Sequence, residues 1–173
     1  LPEAVDCFVQ VLELAPDNLD FLFRHGMACV TLKQYADAEE SLRRLTTLTP
    51  TNPLAYHGLG LALQGLDLLD AALACFGRAS ANNPTQTDTY FACGNLLMSM
   101  SRHEEAVLSY DAAIRVDSKV PEIHNNRGVA LRTLRRESES LAAFEMALDL
   151  RPDYAGAHNN RGVAFRQLGR LHE

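Results

Sequence analysis

The sequence predicts an all-α fold, a solenoid of antiparallel helix pairs, from two periodic columns and the spacing of its apolar residues. Prolines stand at Pro16, Pro50, Pro84 and Pro152, at multiples of 34, with Ser118 in the missing place. Glycines stand at Gly26, Gly60, Gly94, Gly128 and Gly162, again 34 apart. At an average glycine frequency of about 7%, four later glycines fall in register by chance on the order of once in 10^5 trials, so the period belongs to the fold. Between these marks, apolar residues recur at helical spacing in two blocks per period. Tyr56, Leu59, Leu63 and Leu66 form one block, and Leu69, Ala72, Leu73 and Phe76 the next.

Each unit follows from these marks. Residues 1–18 supply only a second helix, with Ala4 in a small-residue column and Phe8 four positions later in a large apolar one. Unit 19–52 places Leu22 and Gly26 on its first helix, Ala38 and Leu42 on its second, and ends around Pro50. Unit 53–86 repeats this with Tyr56, Gly60, Ala72, Phe76 and Pro84, and unit 87–120 with Tyr90, Gly94, Ala106, Tyr110 and Ser118. Unit 121–154 has His124, Gly128, Ser140, Phe144 and Pro152, and 155–173 holds a first helix with His158 and Gly162. Mid-helix glycine costs about 1 kcal/mol relative to alanine, so a recurring one marks close helix approach. Proline cannot continue a helix and ends each unit. Asp and Asn beside the prolines, as in Pro16-Asp17-Asn18, suit turns and N-caps. The chain reads as a piece of a longer array.

Composition narrows the function. The chain is 47% hydrophobic over 173 residues, enough for a packed core, with a net charge of −6. A nucleic-acid binder draws most of its affinity from phosphate neutralisation and is usually basic, so no nucleic-acid partner is expected. No run has the 18 or more apolar residues of a membrane span, so no membrane partner is expected either. Cys7, Cys29, Cys75 and Cys93 form no CxxC pair and sit in apolar segments, which predicts reduced thiols and a cytoplasmic location.

These columns resemble the tetratricopeptide repeat (TPR), a 34-residue helix–turn–helix unit with an aromatic, a Leu-Gly, an Ala-x3-Phe and a terminal Pro. The resemblance covers essentially the whole chain. It departs at Leu22, His124 and His158 in the aromatic column, and at His25, Cys93, Arg127 and Arg161, where the family favours Leu before glycine. It implies a right-handed α-solenoid, a TPR superhelix whose first helices line a concave groove. The groove residues it places inward include Phe23, Met27, His57, Leu61, Phe91, Asn95, Asn125, Asn126, Arg132, Asn159, Asn160 and Arg166. The first half, with Phe23, Met27, Leu61, Phe91 and Met98, suits apolar anchors. The second half offers amides and guanidiniums.

His124-Asn125-Asn126-Arg127-Gly128-Val129-Ala130 recurs identically as His158-Asn159-Asn160-Arg161-Gly162-Val163-Ala164. A primary amide has acceptor and donors and can hold a peptide backbone bidentately. These Asn-Asn-Arg-Gly segments are similar to TPR arms of O-linked N-acetylglucosamine transferase, with Asn126 and Asn160 in the ladder column and Arg24, Gly58 and Ala92 in its earlier places. Recent duplication with tolerated surface Asn is the competing reading. Asn126→Ala with Asn160→Ala is expected to weaken a peptide ligand and leave the melting point nearly unchanged. Asn95 and Asn126 also fit the two Asn places of a chaperone-tail carboxylate clamp, but Phe91, Gly156 and Asn160 hold its basic places, so that ligand is not expected. Arg127 and Arg161 are expected to pack their stems and bond loop carbonyls. His124 and His158 read as packing residues rather than metal ligands.

No catalytic constellation, metal site or cofactor is expected: there is no HExxH and no GxSxG, and Gly58-Leu59-Gly60 belongs to the repeat rather than to a dinucleotide loop. The sequence thus predicts a non-catalytic scaffold that binds a protein or peptide ligand in its groove. Two alternatives stand beside it. One is the substrate-recruiting arm of a larger enzyme such as a protein O-glycosyltransferase. The other is head-to-tail self-association, with Leu171 and Leu1 in the same repeat place.

Overall fold

The computed structural model describes residues 2–168, and among these are ten helices and no strands. They are α1 (Pro2–Leu14), α2 (Leu19–Thr31), α3 (Tyr35–Leu48), α4 (Pro53–Gly65) and α5 (Leu69–Asn82), then α6 (Thr87–Ser99), α7 (His103–Val116), α8 (Pro121–Thr133), α9 (Glu137–Leu150) and α10 (Ala155–Gln167). Leu1 and Leu171, on which the head-to-tail expectation rests, lie outside the described residues.

The chain divides into two compact units, Leu1–Pro84 and Thr85–Glu173. In the first, consecutive helices pack as neighbours and α2 also touches α4. In the second, consecutive helices again pack, and α6 and α10 both touch α8. First helices therefore share one face within each unit. Second helices sit behind them, and α3 and α5 flank α4 without packing on each other.

Local chemistry explains the helix ends. The Asn18 side chain accepts from the Phe21 N–H at 3.2 Å, and Asn52 accepts from Leu54 and Ala55 N–H at 3.0 and 3.3 Å, satisfying donors that a first turn leaves open. Pro53 and Pro121 stand at first helical positions, where no N–H is needed. Inside each hairpin the first helix closes by a Schellman turn. The bonds run from Gln34 N to Cys29 O, Leu68 N to Leu63 O, Arg102 N to Leu97 O and Arg136 N to Leu131 O, at 2.9, 2.9, 2.9 and 3.0 Å. This puts Lys33, Asp67, Ser101 and Arg135 at φ of 61°, 61°, 59° and 60°, a left-handed region that ordinarily favours glycine.

The glycine column meets the large apolar column sixteen residues later. A Cβ on Gly60 would lie 2.6 Å from the Phe76 ring, one on Gly94 2.5 Å from Tyr110, and Gly26 and Gly128 face Leu42 and Phe144 at 2.5 Å. The large side chain of the second helix, a ring in three of these four pairs, thus rests on the bare backbone of the first. Gly162 has open space instead. The small column completes the seam: Ala38, Ala72, Ala106 and Ser140 are fully buried, and the Ser140 hydroxyl donates to the Gly128 carbonyl at 2.8 Å.

The histidines of the aromatic column, His124 and His158, differ from a simple packing role. His124 is buried and His158 exposed, yet each brings Nε2 to a turn carbonyl, Ser118 O at 2.8 Å and Pro152 O at 2.7 Å. A carbonyl only accepts, so Nε2 carries the proton in both. They tie each first helix to the turn before it.

Candidate functional site

In the second unit the structure joins five of the residues marked from the sequence into one hydrogen-bonded chain. Arg132 Nη1 donates to Asn160 Oδ1 (3.3 Å), Asn160 Nδ2 to Asn125 Oδ1 (2.9 Å), and Asn125 Nδ2 to Asn126 Oδ1 (3.1 Å). Asn126 Nδ2 then donates to Asn95 Oδ1 at 2.9 Å, which also accepts from the Tyr110 hydroxyl at 2.8 Å. The helix period sets this up: Asn95, Asn125, Asn126 and Asn160 lie on the adjoining first helices α6, α8 and α10, and Tyr110 reaches through from α7.

The chain has one direction. A guanidinium can only donate, so Arg132 must face the oxygen of Asn160, which turns the Asn160 amino group toward Asn125, and so on to Asn95. At the far end, burial pushes the Tyr110 phenol well above its ordinary value, although an Asn126 N–H donating to it pulls the other way. The phenol therefore remains a donor. Both lone-pair sites of Asn95 Oδ1 are occupied, and its amino group is left as an open donor. It stands on a cleft of about 210 Å³ lined by Asn95, Met98, Tyr110, Asn126 and Val129. Phe91 extends the apolar wall, its ring 6.1 Å from Tyr110. Such a place accepts a carbonyl or carboxylate oxygen beside an apolar group.

The remaining expected residues stand apart from this chain. Asn159 and Arg166 are exposed, and neither side chain joins this hydrogen-bonded chain. Glu122 is paired with Arg151 at 2.6 Å. Burial raises the Glu122 carboxyl, but its own backbone N–H and Arg151 outweigh that and hold it below the usual carboxylate range. Arg127 pairs with Asp111 at 2.6 Å rather than with a loop carbonyl, and the Arg161 guanidinium sits 5.9 Å over the Phe165 ring.

In the first unit, Phe23 and Met27 on α2 are half-buried. The Met27 sulfur lies 2.9 Å from where a Gly58 side chain would begin, so Gly58 makes room for it. His57 turns toward the core, its ring 5.8 Å from Phe76. Leu61 lines an open cleft of about 350 Å³ with Val30, Tyr35, Gln64 and Gly65. Sequence reasoning missed a buried polar cluster behind this face. His25 Nδ1 lies 2.8 Å from Ser41 Oγ and its Nε2 3.5 Å from Cys29 Sγ. Burial lowers the His25 pKa, with Asp37 and Glu40 opposing, and burial together with the Asp37 charge pushes the Cys29 thiol up to about 11. A protonated thiol beside a neutral imidazole, with Cys29 fully buried, is packing rather than nucleophilic chemistry. Among the described residues no cluster of three His, Cys, Asp or Glu forms that could hold a metal, and no helix is long and apolar enough to cross a membrane.

Stacked helix pairs with a side-chain-rich first-helix face define a helical-repeat protein. Tetratricopeptide repeat models match residues 1–53 with 138–173, and residues 121–154, and a TPR repeat model matches 94–134; the chain belongs to the tetratricopeptide repeat family. Over 92 residues, 53% of the chain, it is 27% identical to small glutamine-rich tetratricopeptide repeat-containing protein 2 of Mycosarcoma maydis. That match covers 26% of the relative, so the chain spans about a quarter of its length. The crystal structure of MamA is 28% identical with a TM-score of 0.82, over 88% of this chain and 89% of that one. YrrB, described as a TPR protein with an unusual peptide-binding site, has a TM-score of 0.80 at 17% identity over 97% of this chain and 87% of its own, a likeness of fold.

Proposed function

We propose that this chain is a non-catalytic interaction scaffold that holds a peptide, or an extended segment of a partner protein, on the first-helix face of its second unit. The observation that carries this is the one-way amide chain from Arg132 to Asn95, which ends in an open N–H donor on an apolar-walled cleft. Backbone carbonyls recur along any extended segment, so one donor against Met98, Val129 and Phe91 gives a hold that selects an apolar neighbour. Asn159 and Arg166, exposed on α10, lie where the segment would continue. The chain is read as four full repeats, 19–52, 53–86, 87–120 and 121–154, flanked by the half repeats 1–18 and 155–173. The raised thiols of Cys29, Cys75 and Cys93, none of them in a disulfide, suit a reducing cytoplasmic setting.

The test is selection of binders from a displayed library of random 12-residue peptides, followed by titration calorimetry. Enriched peptides should lose about tenfold or more in affinity on Asn95→Ala, equivalent to removing a hydrogen bond and its neighbours' alignment. A library yielding no binders, or binders indifferent to Asn95→Ala, sinks the reading.

A further inference from the structure

A larger cleft opens in the first unit, where α3 and α5 flank α4 without touching. It measures about 540 Å³ and its floor is Tyr56, Leu59 and Leu63, all buried. Its rim carries Arg43, Thr46 and Thr47 from α3 and Arg78 from α5. The cleft exists because Ala71 and Ala74 leave the α5 wall without bulk; the next hairpin has Leu108 at the place of Ala74.

The charged groups there are guanidiniums, while Thr46 and Thr47 already donate their hydroxyl protons to the Arg43 carbonyl. Arg78 Nη1 donates to the Tyr56 hydroxyl at 3.1 Å, and its guanidinium lies 5.5 Å over that ring. Among the described residues Arg78 has no carboxylate partner. Tyr56 already accepts from Arg78, and its own proton can still donate to an acceptor. Arg43 shares Glu39 within α3. Arg43, Cys75 and Arg78 line the same cleft, and burial raises the Cys75 thiol while the two cations pull it down.

The second unit shows what this register accommodates. Two repeats on, Arg43 and Leu59 become Asp111 and Arg127, and these form a 2.6 Å ion pair that is only 32% and 23% exposed. There the chain supplies its own carboxylate. In the first unit the same register holds Arg43, paired with Glu39, and Leu59, and beside them lie Arg78, the Tyr56 phenol and open space.

We propose that this cleft docks an acidic segment of a partner protein, with a Glu or Asp carboxylate against Arg78 and Tyr56 and the adjoining apolar side chain on Leu59 and Leu63. A charged, bidentate contact of this kind is the strong form of hydrogen bond, and the volume falls within the range of about 300–1,000 Å³ usual for ligand pockets. All the residues of this site belong to the first unit.

The test uses immobilised 12-residue peptides with a central Glu-Leu pair in random flanks, beside the same peptides with Gln-Leu. The chain should bind members of the Glu set at least tenfold more tightly than their Gln counterparts. Arg78→Gln should abolish that preference, and Ala74→Leu, which fills the cleft from an exposed position, should abolish binding. Asn95→Ala should leave these affinities unchanged. Equal binding of Glu and Gln forms, a preference that survives Arg78→Gln, sensitivity to Asn95→Ala instead, or no Glu-bearing binder at all would each overturn the proposal.

Discussion

The two units are built on one 34-residue frame and present different chemistry on equivalent helices. Where the first has Met27 beside a bare Gly58 and Leu61 over an open cleft, the second has amides bonded across three helices. Charge follows: residues 1–84 carry 5 basic and 10 acidic groups, and residues 85–173 carry 11 and 12. The frame positions rings, glycines and small residues and leaves the outward columns free to vary. The largest test of that division is the frame itself. Gly94→Leu drives a side chain into Tyr110 and should cost about 3 kcal/mol, a fall in Tm of roughly 6–12 °C by calorimetry. Gly162→Ala, in open space, should be neutral or slightly stabilising; equal damage from both would dissolve the idea of a ring-bearing column.

The amide chain offers the next contrast. Asn160→Ala removes the acceptor of Arg132 and the donor to Asn125, so it should lower stability by about 1 kcal/mol as well as weaken a peptide ligand. This revises the expectation that such a variant leaves the melting point nearly unchanged, because these amides are joined to each other rather than waiting in solvent. Urea titration of the single variant decides it.

A smaller effect separates the units by pH. His25 occurs in the first, and its register holds Cys93, Arg127 and Arg161 in the second. Burial lowers its folded-state pKa below the unfolded 6.5, so the unfolded chain binds the proton more readily. Stability from this group is complete above the unfolded value and is lost as pH falls below it. The Tm of the parent should therefore drop more steeply between about pH 7 and pH 5 than that of His25→Gln. Parallel slopes would remove His25 from the account. Least of all, Ser101→Gly should gain about 0.5 kcal/mol, the left-handed strain relieved less the extra entropy of glycine, visible as a small rise in denaturant midpoint.

Much of the fold was legible because its columns are chemical. Glycine, proline and large apolar residues recur where sterics leave little choice, as Gly60 under Phe76 shows. The hairpin turns were not legible. Lys33, Asp67, Ser101 and Arg135 share a backbone conformation and no chemistry, since the Schellman bonds impose the shape from outside. The candidate site was legible by residue type and not by connection. Asn95, Asn126 and Asn160 could be named, but bonds spanning 31 and 35 residues depend on how helices abut, and the phenol of Tyr110 was hidden in a column that reads as packing. The cleft under Arg78 left even less trace, because alanines that create space look like alanines that fill it.

The sixteen-residue reach from glycine to ring also governs how such a chain assembles. Each closure spans a short loop, so little entropy is lost before the contact forms, and any hairpin can begin without waiting for distant partners. Loss of one nest then spreads only as far as its neighbours hold, and the array frays stepwise rather than collapsing in a single event.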